Sequence, residues 1–142
     1  MTRIRSVAAL MLGASLLAGG CSRTYPPNPK TYPVNGKILL PGGSPLTGGR
    51  LTFHSKDPDR AVIEPFAELE PDGSFKPTTF QQNDGLLPGT WVVTVSPRSY
   101  KTGGPRSVNA DRIPRRYQDE RSSPLVLEVK EEDNSPTLTL KD

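Results

Sequence analysis

The stretch TWVVTVS, Thr90–Ser96, decides the fold. In an extended chain its side chains alternate, so Trp91, Val93 and Val95 share one face and Val92, Thr94 and Ser96 the other. β-Branched residues crowd a helix and pack well on a pleated surface, so composition agrees with alternation. The same period of two recurs on both sides. Towards the N-terminus, YPVNGKILL aligns Val34, Gly36, Ile38 and Leu40; GRLTFHS aligns Leu51 and Phe53; PFAELE aligns Ala67 and Leu69; GSFK adds Phe75. Towards the C-terminus, LVLEVK aligns Leu125, Leu127 and Val129, and TLTL aligns Leu138 and Leu140.

Turn signals separate these runs. PGGSPLTGG lies between the first two, Pro71-Asp72-Gly73-Ser74 reads as a tight hairpin turn, and NDGLLPG precedes the tryptophan strand. Helical periodicity is absent after the first twenty residues. Seven short strands punctuated in this way predict an all-β fold, a two-layer, seven-stranded β-sandwich. On the outward face of the second strand, His54 reads as a surface histidine beside Arg50 and Thr52.

One connection breaks the rhythm. Residues 97–123 are too many for a hairpin, and loops of that length are usually functional or disordered. They carry Arg98, Lys101, Arg106, Arg112, Arg115, Arg116 and Arg121 against Asp111, Asp119 and Glu120, a local charge of +4. Residues 124–142 carry a charge of −3. The favoured expectation is a solvated loop folded near its own acidic tail, since exposed ion pairs are common and weak. The alternative is a basic patch for lipid headgroups or an anionic polymer.

The opening of the chain is of another kind. Arg3 and Arg5 precede an apolar run from Val7 to Ala18 that is well short of the ~20 residues a membrane-spanning helix needs. A basic start, a short apolar middle and small residues at the end are the composition of a secretory signal peptide. Leu17-Ala18-Gly19-Gly20-Cys21 resembles the lipobox of bacterial lipoproteins, with Ala18 where that motif favours Leu. The resemblance implies cleavage between Gly20 and Cys21 and lipidation of the Cys21 thiol. It also accounts for a lone cysteine in an oxidising compartment. Residues 1–20 are then the signal peptide and 21–31 a Pro-rich tether, with Pro26, Pro27 and Pro29. The domain is 32–142. The expected location is extracytoplasmic, on the periplasmic or cell-surface side, held to the membrane through lipid on Cys21.

From Cys21 onward, Leu, Ile, Val and Phe number 26 of 122 residues, so the core is thin. Without Arg3 and Arg5 the net charge falls from +3 to +1, which gives no case for nucleic acid.

Val34-Asn35-Gly36-Lys37-Ile38, then Pro45 to Phe53, Asp72-Gly73-Ser74-Phe75 and Leu87 to Val95 follow an order that resembles the carboxypeptidase regulatory-like domain. That family is a transthyretin-like (prealbumin-like, Ig-like) sandwich, and Trp91 stands where it more often has Tyr. The resemblance implies a non-catalytic module, and packing or turns explain the residues that carry it. Gly36 permits a close approach within its strand, and Pro88-Gly89 turns Trp91 into the core.

Enzyme chemistry finds no support in the sequence. His54 is the only histidine and Cys21 the only cysteine, too few for a zinc site. GGSPLTG lacks the G-x-S-x-G order of a nucleophile elbow. Asp57-Pro58-Asp59 and Asn83-Asp84-Gly85 read as turns rather than calcium ligands. No catalytic residue, metal or cofactor is expected. The expected function is that of a lipid-anchored protein-interaction or structural module of the cell envelope, with an unknown envelope protein as partner. The alternative is a glycan or anionic-polymer binder using Arg112, Arg115, Arg116 and Tyr117 of the 97–123 loop, where arginine pairs with acidic groups and tyrosine stacks on a sugar.

Overall fold

The computed structural model describes residues 27–97 and 112–142. Seven strands form among them: β1 (Gly36–Leu39), β2 (Arg50–Ser55), β3 (Phe66–Glu68), β4 (Ser74–Phe75), β5 (Gly89–Ser96), β6 (Val126–Val129) and β7 (Thr137–Thr139). Two 3-10 turns, Pro58–Arg60 and Arg115–Gln118, lie between strands. The strands make a three-stranded sheet, β4-β1-β7, and a four-stranded sheet, β3-β2-β5-β6. The expected seven-stranded all-β sandwich is the fold.

The inward residues that alternation selects, from Val34 to Leu140, are buried. Trp91 is 1% exposed, and its indole N–H donates to the Leu87 carbonyl at 3.0 Å. Phe53 of β2 and Phe75 of β4 join the two layers, with ring centroids 6.0 Å apart. Such a pair is worth about 0.5–1.5 kcal/mol beyond its area. Gly36 is opposite Phe75 in the β1–β4 register, and a Cβ there would lie 2.2 Å from Phe75 Cζ. The glycine is what lets that ring lie across β1.

Two features depart from the alternation. Leu46, Leu86, Leu87, Ile113 and Tyr117 join the core from outside the strands. The outward face of the four-stranded sheet is also partly covered: Thr94 is 9% exposed and the His54 side chain 16%. His54 therefore faces outward, as expected, but is not a surface histidine. Glu120 and Glu64 lie over it from two loops.

Strand direction gives the sandwich two poles. The N-terminal segment enters at one: Tyr32 N–H donates to Leu86 O at 2.8 Å, and Leu86 N–H returns a bond to Tyr32 O at 3.1 Å. Gly85 makes room, since a Cβ there would lie 1.9 Å from Tyr32 O. Asn134, just before β7, pairs with the same segment through Pro33 O and Asn35 N. β1 and β7 then run parallel, Lys37 beside Thr137 and Leu39 beside Thr139. Both deliver their ends, Pro41 and Lys141, to the far pole. At ~3.3 Å per residue the two poles are roughly 20 Å apart.

Candidate functional site

The segment from Arg112 to Ser123 is built onto the far pole. Pro114 opens a 3-10 turn in which Tyr117 N–H donates to Pro114 O at 3.1 Å. That turn directs the Tyr117 ring into the core, where it is 1% exposed. Its hydroxyl accepts from Lys141 N–H at 2.7 Å and donates to Lys141 O at 3.1 Å, like the end of a strand ladder. The Arg116 guanidinium also donates to Lys141 O and lies 5.0 Å from the Tyr117 ring centroid. Arg112 reaches Pro41 O at 3.4 Å. Ser122 Oγ donates to Arg116 O at 2.8 Å, and Ser123 Oγ to Val93 O, which leads the chain into β6.

The four residues expected to bind a partner are therefore brought together, but not as equals. Tyr117 is a core residue, and its ring is not offered to a sugar face; that expectation is corrected by its burial. Arg112 and Arg116 are exposed, yet each also fastens the segment to a strand end. Arg115 is exposed and points its charge outward from the same turn. Gly20 and Cys21 lie outside the described residues, as do residues 98–111 of the basic connection.

The acidic cluster of the 124–142 segment is elsewhere. Glu131, Glu132 and Asp133 precede Asn134 at the pole where Tyr32 enters, and the Tyr32 hydroxyl donates to Glu131 at 3.3 Å. The basic segment lies roughly 20 Å away, at the other end of β7. Solvent-exposed charges are screened over ~8 Å at physiological ionic strength. The expected folding of the basic loop near its own tail is thus met by its described part in one respect only: residues 112–123 fasten to the end of the 124–142 segment at Lys141, while the Glu131–Asp133 cluster of that segment is at the other pole.

His54 has one polar cluster around it. Its Nε2 is 3.0 Å from Thr94 Oγ1, and its Nδ1 is 3.6 Å from Glu120 and 3.9 Å from Glu64. This hydroxyl–imidazole–carboxylate order is that of an activated nucleophile. Here Thr94 is buried, and the Glu64 and Glu120 carboxylates lie over the ring from two loops.

The loop carboxylates serve turns. Asp57 accepts from Asp59 N–H at 3.1 Å and pairs with Arg60 at 3.3 Å. Asp84 accepts three backbone N–H groups, from Thr79 at 2.7 Å and from Phe80 and Gln81 at 3.0 Å. At the hairpin turn, the Ser74 hydroxyl and then the Ser74 backbone N–H hold the Asp72 carboxyl below the usual carboxylate range. Among the described residues no three His, Cys, Asp or Glu side chains are grouped to hold a metal ion. No described helix is long and apolar enough to cross a membrane. Comparison with family models, curated proteins and solved structures finds no match to this chain.

Proposed function

We propose that this chain is a lipid-anchored, extracytoplasmic β-sandwich of the carboxypeptidase regulatory-like kind, tethered through Cys21, and a non-catalytic protein-interaction module of the cell envelope. The observation that carries the reading is polarity. The tether joins the sandwich beside Leu86 and Asn134, and Arg112, Arg115 and Arg116 are at the opposite pole. A Pro-rich spacer of about ten residues spans roughly 30 Å when extended. A domain lifted on such a spacer turns its arginine pole away from the lipid and its Glu131–Asp133 turn towards it. With Tyr117 committed to the core, this pole lacks a stacking platform for sugars, which favours a protein partner.

Site-specific photo-crosslinking in intact cells tests the reading. A crosslinker at position 115 is expected to capture one envelope protein, independently of salt, and the same group at position 132 is not. Equal capture from both positions, or salt-sensitive recovery of an anionic polymer from position 115, would overturn it. Cys21→Ser is expected to release the protein from membranes; unchanged membrane association would remove the anchor from the proposal.

A further inference from the structure

A cleft of about 650 Å3 opens along β3, and its lining includes neither the 112–123 segment nor that segment's anchors Pro41 and Lys141. Its origin is a hairpin held at both ends. Phe66 and Thr78 exchange backbone hydrogen bonds at 3.1 and 2.8 Å, and Glu70 N–H donates to Ser74 O at 3.0 Å. The cleft is lined by Phe66 and Glu68 of β3 and, from the other arm and the loop beyond Thr78, by Lys76, Phe80 and the run Gln81-Gln82-Asn83. The volume is within the ~300–1,000 Å3 of small-molecule clefts.

Both walls are fixed. The Arg50 guanidinium lies 3.9 Å over the Phe66 ring and 4.0 Å from Glu68. The opposite wall is the loop closed by Asp84, which the Thr79 hydroxyl also ties to Gly85 O at 2.6 Å. Asn83 N–H donates to Thr78 Oγ1 at 3.0 Å, holding Asn83 at φ +59°. Gln81, Gln82 and Asn83 are exposed at the mouth of the cleft on a loop held by these bonds.

The lining selects a ligand class. Side-chain amides both donate and accept, as sugar hydroxyls do, and three of them stand in a row. Phenylalanine rings present flat apolar faces for the C–H side of a sugar ring; at Phe66, Arg50 covers one face and leaves the other. Charge favours a neutral ligand: Glu68 and Glu70 line the cleft with Lys76, and Arg50, over Phe66, offsets Glu68. We propose that this cleft is a binding site for a neutral oligosaccharide, with Gln81 and Gln82 as hydrogen-bonding residues and Phe66 and Phe80 as its apolar contacts. This site is independent of the arginine pole and goes beyond the protein-interaction role.

The test is titration of the isotopically labelled, purified protein with cellotetraose and with chitotetraose, followed by backbone amide shifts. The expected result is saturable movement of signals from Phe66–Glu70 and Lys76–Asn83, with Arg112–Gln118 unmoved. The exposed double substitution Gln81→Ala/Gln82→Ala is expected to weaken affinity by about tenfold or more, as two lost hydrogen bonds imply. Its fold is checked by Trp91 fluorescence. No shift with either sugar at millimolar concentration overturns the proposal. So does undiminished binding by the folded double variant, or movement confined to Arg112–Gln118.

Discussion

Replacing Tyr117 separates the two ways in which the 112–123 segment is held. Tyr117→Phe keeps the buried ring and removes the hydroxyl that bonds both Lys141 backbone groups. Each hydrogen bond is worth about 0.5–1.5 kcal/mol net. The Lys141 carbonyl keeps Arg116, and Lys141 is exposed to water, so the expected loss is only about 1 kcal/mol. Tyr117→Ala also removes a ring that is 1% exposed, and large-to-small changes at such aromatic positions cost about 3–5 kcal/mol. Urea unfolding reads both, because Trp91 is the only tryptophan and lies in the core. With an m-value of about 1–2 kcal/mol/M, the Ala variant's midpoint falls by roughly 2 M or more, and the Phe variant's by under ~1 M. An Ala variant within about 1 kcal/mol of the parent would mean that the ring does not contribute to the core. The basic segment would then not be docked on the far pole.

Three other outcomes follow from the geometry. Gly36→Ala drives a methyl into the Phe75 ring and is expected to cost about 1–3 kcal/mol by the same unfolding assay, with partial recovery in Gly36→Ala/Phe75→Leu. Asp84→Ala strands three N–H groups of the 79–84 loop and is expected to speed amide exchange at Thr79, Phe80 and Gln81, while Asp84→Asn has a smaller effect. Ser74→Ala removes the hydroxyl that does most to hold Asp72 low, so its carboxyl titration, followed by NMR, is expected to move up towards the ordinary ~3.9. Because the folded-state value is depressed, the contribution of Asp72 to stability is complete above that ordinary value and is lost as pH falls through the folded one.

The strands were legible because a sheet with one buried face writes a period of two into the chain, and TWVVTVS, GRLTFHS and LVLEVK all obey it. The rest of the core was not, because Leu46, Leu86, Leu87, Ile113 and Tyr117 reach it from irregular backbone, where no period marks the inward side. Thr94 shows the limit from the other direction: alternation places it outward, and the face is covered by two loops far from it in sequence, those of Glu64 and Glu120. Tyr117 looked like a ligand residue, since an Arg-Arg-Tyr run in a long polar loop has one composition whether its ring is docked or free. That residues 112–123 fasten to Lys141 and lie far from Glu131–Asp133 depended on β1 and β7 running parallel, which no local signal encodes. The cleft was unreadable for a related reason. Its walls are a strand and a loop whose residues, Phe66 and Gln81-Gln82-Asn83, belong to separate runs of sequence.

The parallel pairing of Lys37 with Thr137 joins residues a hundred positions apart. During synthesis, β1 is made early and then waits for almost the whole of the chain before its second neighbour exists. Until then the side of β1 that accepts β7 is an open template for any extended segment nearby. Pairings of such high sequence separation form late and slowly. Of the seven described strands, the last to be made is thus the one that closes the first, and truncating the chain before Thr137 would leave a nascent sandwich exposed to aggregation.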